Sequence, residues 1–204
     1  MKQLLKVKIA TLAGVLSGLS FVASLLLYTW ARIPFPDAFT YVSAPGMVIL
    51  TGLALYARNA NLVVFYGRLK TGLWVGAAAT GAYDLARLVG VLMGVGYTGY
   101  QIIPEFGTLL TGAPPYSSVA TVVGLAYHVV NGVLFGMVYS IMAGRARWYW
   151  ALPWGLLLEA GMIITYPKAF GVNFGVSSAL LWVSLLGHTT YSLVLGKLLH
   201  RYNA

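Results

Sequence analysis

The stretch Gly124-Leu-Ala-Tyr-His128-Val-Val-Asn131-Gly132-Val-Leu-Phe-Gly136 is apolar enough to lie in a bilayer, yet it holds a histidine and an asparagine within a four-residue glycine rhythm. It is the middle of an uncharged run from 118 to 143. That run exceeds the roughly 20 residues that cross a hydrocarbon core of about 30 Å. It lacks the alternation of barrel strands, and backbone groups in lipid must be bonded within their own segment. The run therefore reads as a membrane-spanning helix.

Comparable runs occur at 9–30, 38–57, 71–94, 148–166 and 176–199. The expected fold is all-α, an integral membrane bundle of about six transmembrane helices in a single domain over 1–204. Composition agrees. The chain is 59% hydrophobic and 8% charged, with a mean hydropathy of +0.80, where a soluble domain carries roughly 25% charged residues. Lys2, Lys6 and Lys8 precede the first run, which is longer than the roughly 7–15-residue apolar core of a signal peptide, so it is expected to be retained as a span. Pro45 falls near the first turns of the second run, where a helix tolerates it. Cysteine is absent, which excludes disulfides, thiolate chemistry and zinc–thiolate sites.

With six crossings both termini share a side. That side collects Lys2, Lys6, Lys8, Arg58, Arg68, Lys70, Arg145, Arg147, Lys197 and Arg201, against Arg32, Arg87 and Lys168 on the other. The bias predicts cytoplasmic termini in the plasma (inner) membrane. The net charge of +9 then reads as topology and attraction to anionic headgroups. Nucleic-acid binding is not expected, because no basic face exists outside short loops. Trp30, Trp148, Trp150 and Tyr166 fall at predicted span ends, as an aromatic belt requires. The outer loop 97–117 holds Gln101, Glu105 and the turn signal Gly112-Ala-Pro-Pro115. Its apolar residues predict a short interfacial helix over 104–111 that caps the bundle, as a packed connector or as a lid over a site.

Positions 124, 128, 132, 136, 140 and 144 are Gly, His, Gly, Gly, Ser and Gly, while 184, 188, 192, 196 and 200 are Ser, His, Ser, Gly and His. Small residues every fourth position let helix backbones approach closely. Gly124, Gly132, Gly136, Ser184, Ser192 and Gly196 are therefore expected packing positions, along which the fourth and sixth spans meet. Those two spans run in the same direction, and His128 aligns with His188. Trp74-Val-Gly76 and Trp154-Gly155 echo each other in the spans before them. The last four spans thus suggest two parallel pseudo-repeated hairpins.

His128-x-x-x-Gly132-x-x-x-Gly136, with Gly187-His188-x-x-Tyr191 and Leu195-Gly196, resembles a group of small uncharacterised prokaryotic polytopic membrane proteins with paired H-x-x-x-[GS]-x-x-x-G helices. The resemblance runs from the third span onward. It implies the helical membrane fold and no particular activity.

His128, His188 and Glu159 all fall ~15–18 Å into their spans, near the midplane, with Asp84 somewhat further outward. An ionisable residue at such depth costs ~2.5–3.5 kcal/mol even on a lenient scale and faces the bundle interior. Asp84 and Arg87 are three apart on one helix face and are expected to pair. Glu159 has no basic neighbour one turn away, so its partner must come from another helix. The expectation is one buried cluster of His128, His188 and Glu159, with Asn131 and Tyr127 placed to satisfy the second nitrogen of His128. His200, beside Arg201, reads as a solvated terminus.

Four readings of function stay open. The first is a proton or cation carrier or channel, with Glu159, His128, His188 and Asp84 as its relay. The second is a redox subunit with haem b between His128 and His188. The third is an intramembrane enzyme with a divalent metal on His128, His188 and Glu159. The fourth is a scaffold whose polar residues hold helices together. The expected partners are the lipid bilayer and, in assembly, other membrane subunits or a second copy of the chain.

Overall fold

The computed structural model describes residues 2–94 and 99–203. Its order is α1 (Lys2–Gly18), α2 (Ser20–Ala31), α3 (Phe35–Ala38), a π-helical stretch (Phe39–Ser43), α4 (Ala44–Asn59), α5 (Val63–Leu92), α6 (Ile102–Thr111), α7 (Ser118–Ala143), a 3-10 turn (Trp148–Trp150), α8 (Ala151–Phe170) and α9 (Ala179–Tyr202). No strand occurs among the described residues.

Among the described residues, four helices are long and apolar enough to cross a membrane: Phe35–Asn59, Val63–Leu92, Ser118–Ala143 and Ala179–Tyr202. A fifth span results if α1 and α2 count as one. Those two meet at a 46° bend, so the run at 9–30 is broken rather than straight. The break falls at Gly18-Leu19-Ser20, a glycine–serine site of the kind that kinks helices. Beyond it Ser24 bonds the Ser43 hydroxyl at 2.7 Å and donates to the Ala38 carbonyl at 2.9 Å. The π stretch precedes Pro45, whose missing N–H interrupts the regular ladder of the helix that holds it. The run at 148–166 becomes the 3-10 turn and α8, a 20-residue helix. It is not among the four.

α5 is the central element, with α7 packed on one side and α9 on the other. On the α7 side, a Cβ at Gly136 would lie 2.4 Å from Gly76 Cα, and one at Gly72 would lie 2.7 Å from Met137 Cα. These backbones approach to a distance only glycine permits. The second hairpin repeats the device, since a Cβ at Gly196 would lie 2.1 Å from the Trp148 carbonyl. The two small-residue stripes therefore do not meet each other, contrary to the expectation for the fourth and sixth spans. Gly132 and Gly136 of α7 seat on α5, and Gly124 seats on α6, whereas Ser192 and Gly196 of α9 seat on α8 and the turn before it. The reason is α5 itself, which stands between α7 and α9. Tyr191 reaches across, donating to the Gly132 carbonyl at 2.8 Å.

The helix in the 97–117 loop begins two residues before the expected 104, at Ile102, and its residues Ile102, Ile103, Pro104, Phe106 and Gly107 are buried. Residues 97 and 98 lie outside the described residues. α6 runs back along the first turns of α7, with Gly107 against Ala120 and Gly124 against Ile103. Its N-terminal end is thus drawn into the bundle, rather than lying flat across it. At the opposite end the chain is tied shut. Asn203 donates to the carbonyls of Ser140 and Gly144 at 3.3 and 3.0 Å, and Arg68 donates to the Ile141 carbonyl at 3.3 Å.

Candidate functional site

Two acid–histidine pairs lie on α5, α7, α8 and α9. Asp84 of α5 faces His128 of α7, whose Nε2 is 2.9 and 3.2 Å from the two carboxylate oxygens. Arg87, one turn along α5 and buried, has its Nη1 3.8 Å from Asp84 Oδ1. Its guanidinium also lies over the rings of Tyr83 and Tyr100, 5.2 and 4.4 Å from their centroids. The Tyr100 hydroxyl donates to the backbone carbonyl of Asp84. Gly99 sits directly against this guanidinium, in a left-handed conformation with φ +80 that favours glycine.

Glu159 of α8 faces His188 of α9, with Oε2 2.7 Å from Nδ1. Ser184, one turn before His188, donates its hydroxyl to the same Oε2 at 2.6 Å. The Ser184 carbonyl lies 3.2 Å from His188 Nδ1. That carbonyl can only accept, so a hydrogen bond to it requires the proton on Nδ1. Glu159 Oε1 is buried and has no hydrogen-bond partner. No lysine or arginine lies within ion-pair distance of Glu159 among the described residues, so His188 alone can offset its charge.

Tyr83 joins the two pairs. Its ring lies 4.9 Å from the His188 ring in an edge-on contact and 5.9 Å from the His128 ring. Two small cavities adjoin it. One, of about 60 Å³, is walled by Tyr83, His128, Asn131, Met162, His188 and Tyr191. The other, of about 30 Å³, is walled by Tyr83, Arg87, His128, Tyr166 and Ser184. Each has room for water, and the Oδ1 of Asn131, without a hydrogen-bond partner, adds a polar group to the wall of the larger one. The smaller cavity shares Ile102 and Leu180 with an open vestibule of about 520 Å³ at the α6 end. Toward the chain termini, Val75, Ala79, Tyr139, Ala151, Leu195 and Leu199 pack into an apolar cluster beneath the histidines.

The partners of His128 differ from those expected. Asp84 takes its Nε2, while Tyr127 turns away to the α2 side, donating to the Phe21 carbonyl at 3.2 Å and stacking on Phe106 and Phe21. Asn131 stays beside the cavity without bonding the ring. Asp84 is therefore shared between His128 and Arg87 instead of being consumed by the local ion pair. His200 bonds the Ala146 carbonyl at 3.1 Å and accepts from Arg145 through its own carbonyl, so it ties a loop. Tyr83 is the residue that sequence reasoning passed over. An aromatic hydroxyl directly before an intramembrane aspartate was its available signal.

The space between the two histidines holds the Tyr83 ring and a cavity of about 60 Å³. That space does not fit a porphyrin. Among the described residues no group of three or more histidine, aspartate or glutamate side chains gathers in a way that would hold a metal ion. What the arrangement offers chemically is two proton-exchanging pairs. Comparison with known proteins finds no matching family model, no curated relative and no similar solved structure, so the chemistry rests on these residues alone.

Proposed function

We propose that the protein moves protons, alone or coupled to a second cation, across a bilayer, with Asp84–His128 and Glu159–His188 as two stations of one path. The observation that carries this reading is that two acid–histidine pairs from different hairpins contact the same Tyr83 ring beneath an open vestibule. Chains of Asp, Glu and His inside membranes are the usual proton relays, and histidine exchanges its proton in the physiological range.

In this reading the chain crosses the membrane six times, as the bent α1–α2 pair, Phe35–Asn59, α5, α7, α8 and α9. Both termini lie on the cytoplasmic side of a plasma (inner) membrane, and the vestibule opens outward. The acid on the first helix and the histidine on the second recur in each hairpin, which supports a pseudo-repeat along the membrane normal. Three of the four acidic residues, Asp84, Glu105 and Glu159, line the path or flank it in a chain of net charge +9. That placement favours a cationic cargo. The packed seams toward the termini close the path on that side, so passage requires one hairpin to move against the other.

A scaffold explains the glycine seams equally well. It does not explain Glu159, because a helix-locking carboxylate gains nothing from a buried oxygen left without a partner. The test is proton flux into liposomes containing the purified protein, read with a trapped pH dye under an imposed potassium diffusion potential. Wild-type protein should acidify the lumen, and Glu159→Gln and His188→Gln should abolish the flux. Flux no faster than in protein-free liposomes, or unchanged in both variants, overturns the reading.

A further inference from the structure

We propose that the vestibule at the α6 end binds an organic ammonium ion, held by Glu105 against the aromatic side chains of Tyr116 and Phe170. This site rests on the cation reading above and names the class of cation. The vestibule, of about 520 Å³, is lined by Gln101, Glu105, Tyr116, Phe170, Asn173 and Ser178, among others. Its volume lies in the range of small-molecule sites, roughly 300–1,000 Å³.

Glu105 is the only charged residue in that wall. It is half-buried near the start of α6, and among the described residues no cation forms an ion pair with it, although the chain carries 13 Lys and Arg against 4 Asp and Glu. A carboxylate left unpaired in so basic a protein, on the wall of an open cavity, presents its charge to whatever enters. Two of the other polar groups there are committed. Asn173 Oδ1 accepts from the Gly175 amide at 2.7 Å, and the Asn173 carbonyl accepts from Ser178 at 2.7 Å.

The aromatic walls fit a cation that carries apolar surface. Phe170 is fixed by Phe106 and Tyr166, with centroids 4.9 and 5.2 Å away. Tyr116 is more telling. It has φ 61, in the left-handed region where a bulky residue is strained. The turn around it is held by Ser117, whose amide donates to the Pro114 carbonyl at 3.1 Å and whose hydroxyl caps α7 through the Ala120 amide at 3.2 Å. The phenol is thus held 62% exposed at the vestibule wall. Glycine would relieve that backbone.

Isothermal titration of the full-length protein in detergent with tetraethylammonium tests this site, with sodium as the control cation. Saturable binding is expected for tetraethylammonium and not for sodium. Glu105→Gln should weaken it about fivefold or more, and Tyr116→Gly and Phe170→Leu about two- to fivefold each. Glu105→Asp keeps the charge and should keep most of the affinity, which guards against a folding artefact in the glutamine variant. No binding up to about 50 mM, or a Glu105→Gln affinity within twofold of wild type, overturns the proposal. The outcome is separable from proton flux. Glu159→Gln should lose flux and still bind tetraethylammonium, whereas flux without binding leaves the proton path standing and removes this site.

Discussion

The two acid–histidine pairs look alike and are built differently. Asp84 and His128 are partly accessible, with side chains 28% and 19% exposed, and Arg87 stands beside the carboxylate. Glu159 and His188 are 4% and 12% exposed, and the only other group on the bonded oxygen is the neutral Ser184 hydroxyl. The first pair has a permanent cation to share its charge. The second balances its charge through one proton alone. Burial raises the cost of an uncompensated charge, so the members of the deep pair depend more on each other than those of the shallow one do.

That contrast can be broken most forcefully by removing each histidine. His188→Ala leaves a buried carboxylate without compensation and should cost about 3–5 kcal/mol of stability. His128→Ala leaves Asp84 with Arg87 and some water, and should cost about 1–2 kcal/mol. Thermal unfolding in detergent at neutral pH reads both. Adding Glu159→Gln to His188→Ala should recover most of the loss, because the stranded charge is gone. Equal losses in the two alanine variants would erase the distinction between the pairs.

A smaller effect separates the seams beneath them. Gly136→Leu drives a side chain into the Gly76 backbone of α5, and Gly155→Leu drives one toward Ser192 and the His188 carbonyl. Each should cost about 1–3 kcal/mol by overpacking. Gly81, also on α5, has no atom within 4 Å of an added Cβ, so Gly81→Leu should leave the melting temperature within about a degree of wild type. If Gly136→Leu melts like Gly81→Leu, α5 and α7 do not share that seam.

The smallest effect belongs to Tyr100, which ties the loop before α6 to the Asp84 pair. Burial, reinforced by the Asp84 charge, holds its phenol above the ordinary tyrosine value of 10.0. A raised value means that its stabilising contribution is complete below that ordinary value and disappears as pH climbs through the higher, folded-state one. Tyr100→Phe should therefore cost under about 1 kcal/mol at neutral pH, the net worth of one hydrogen bond. A difference absorbance titration against wild type should show one tyrosine fewer ionising late. If the missing tyrosine ionises at its ordinary value, the phenol is not held on Asp84.

What the chain alone determined is what local composition controls. Long uncharged runs must become helices wherever they are buried in lipid, because each backbone group then needs a partner in its own segment. The Ser118–Ala143 helix follows directly from such a run. The apolar depth of Asp84, His128, Glu159 and His188 marked them as costly residues requiring partners. Which partner each would take was not legible, because pairing across helices depends on rotation and register that no periodicity encodes. α5 stands between the two small-residue stripes, and that placement sent Gly132 and Gly136 to α5 and Ser192 and Gly196 to α8 and its leading turn. It also put Tyr83 against both histidines and gave Asp84 to His128 while Glu159 went to His188. The inward turn of α6 arose the same way, from close packing of Ile103 against Gly124 and of Gly107 against Ala120. Hydrophobicity decides that these segments are helices, and only the mutual fit of their surfaces decides which residues meet.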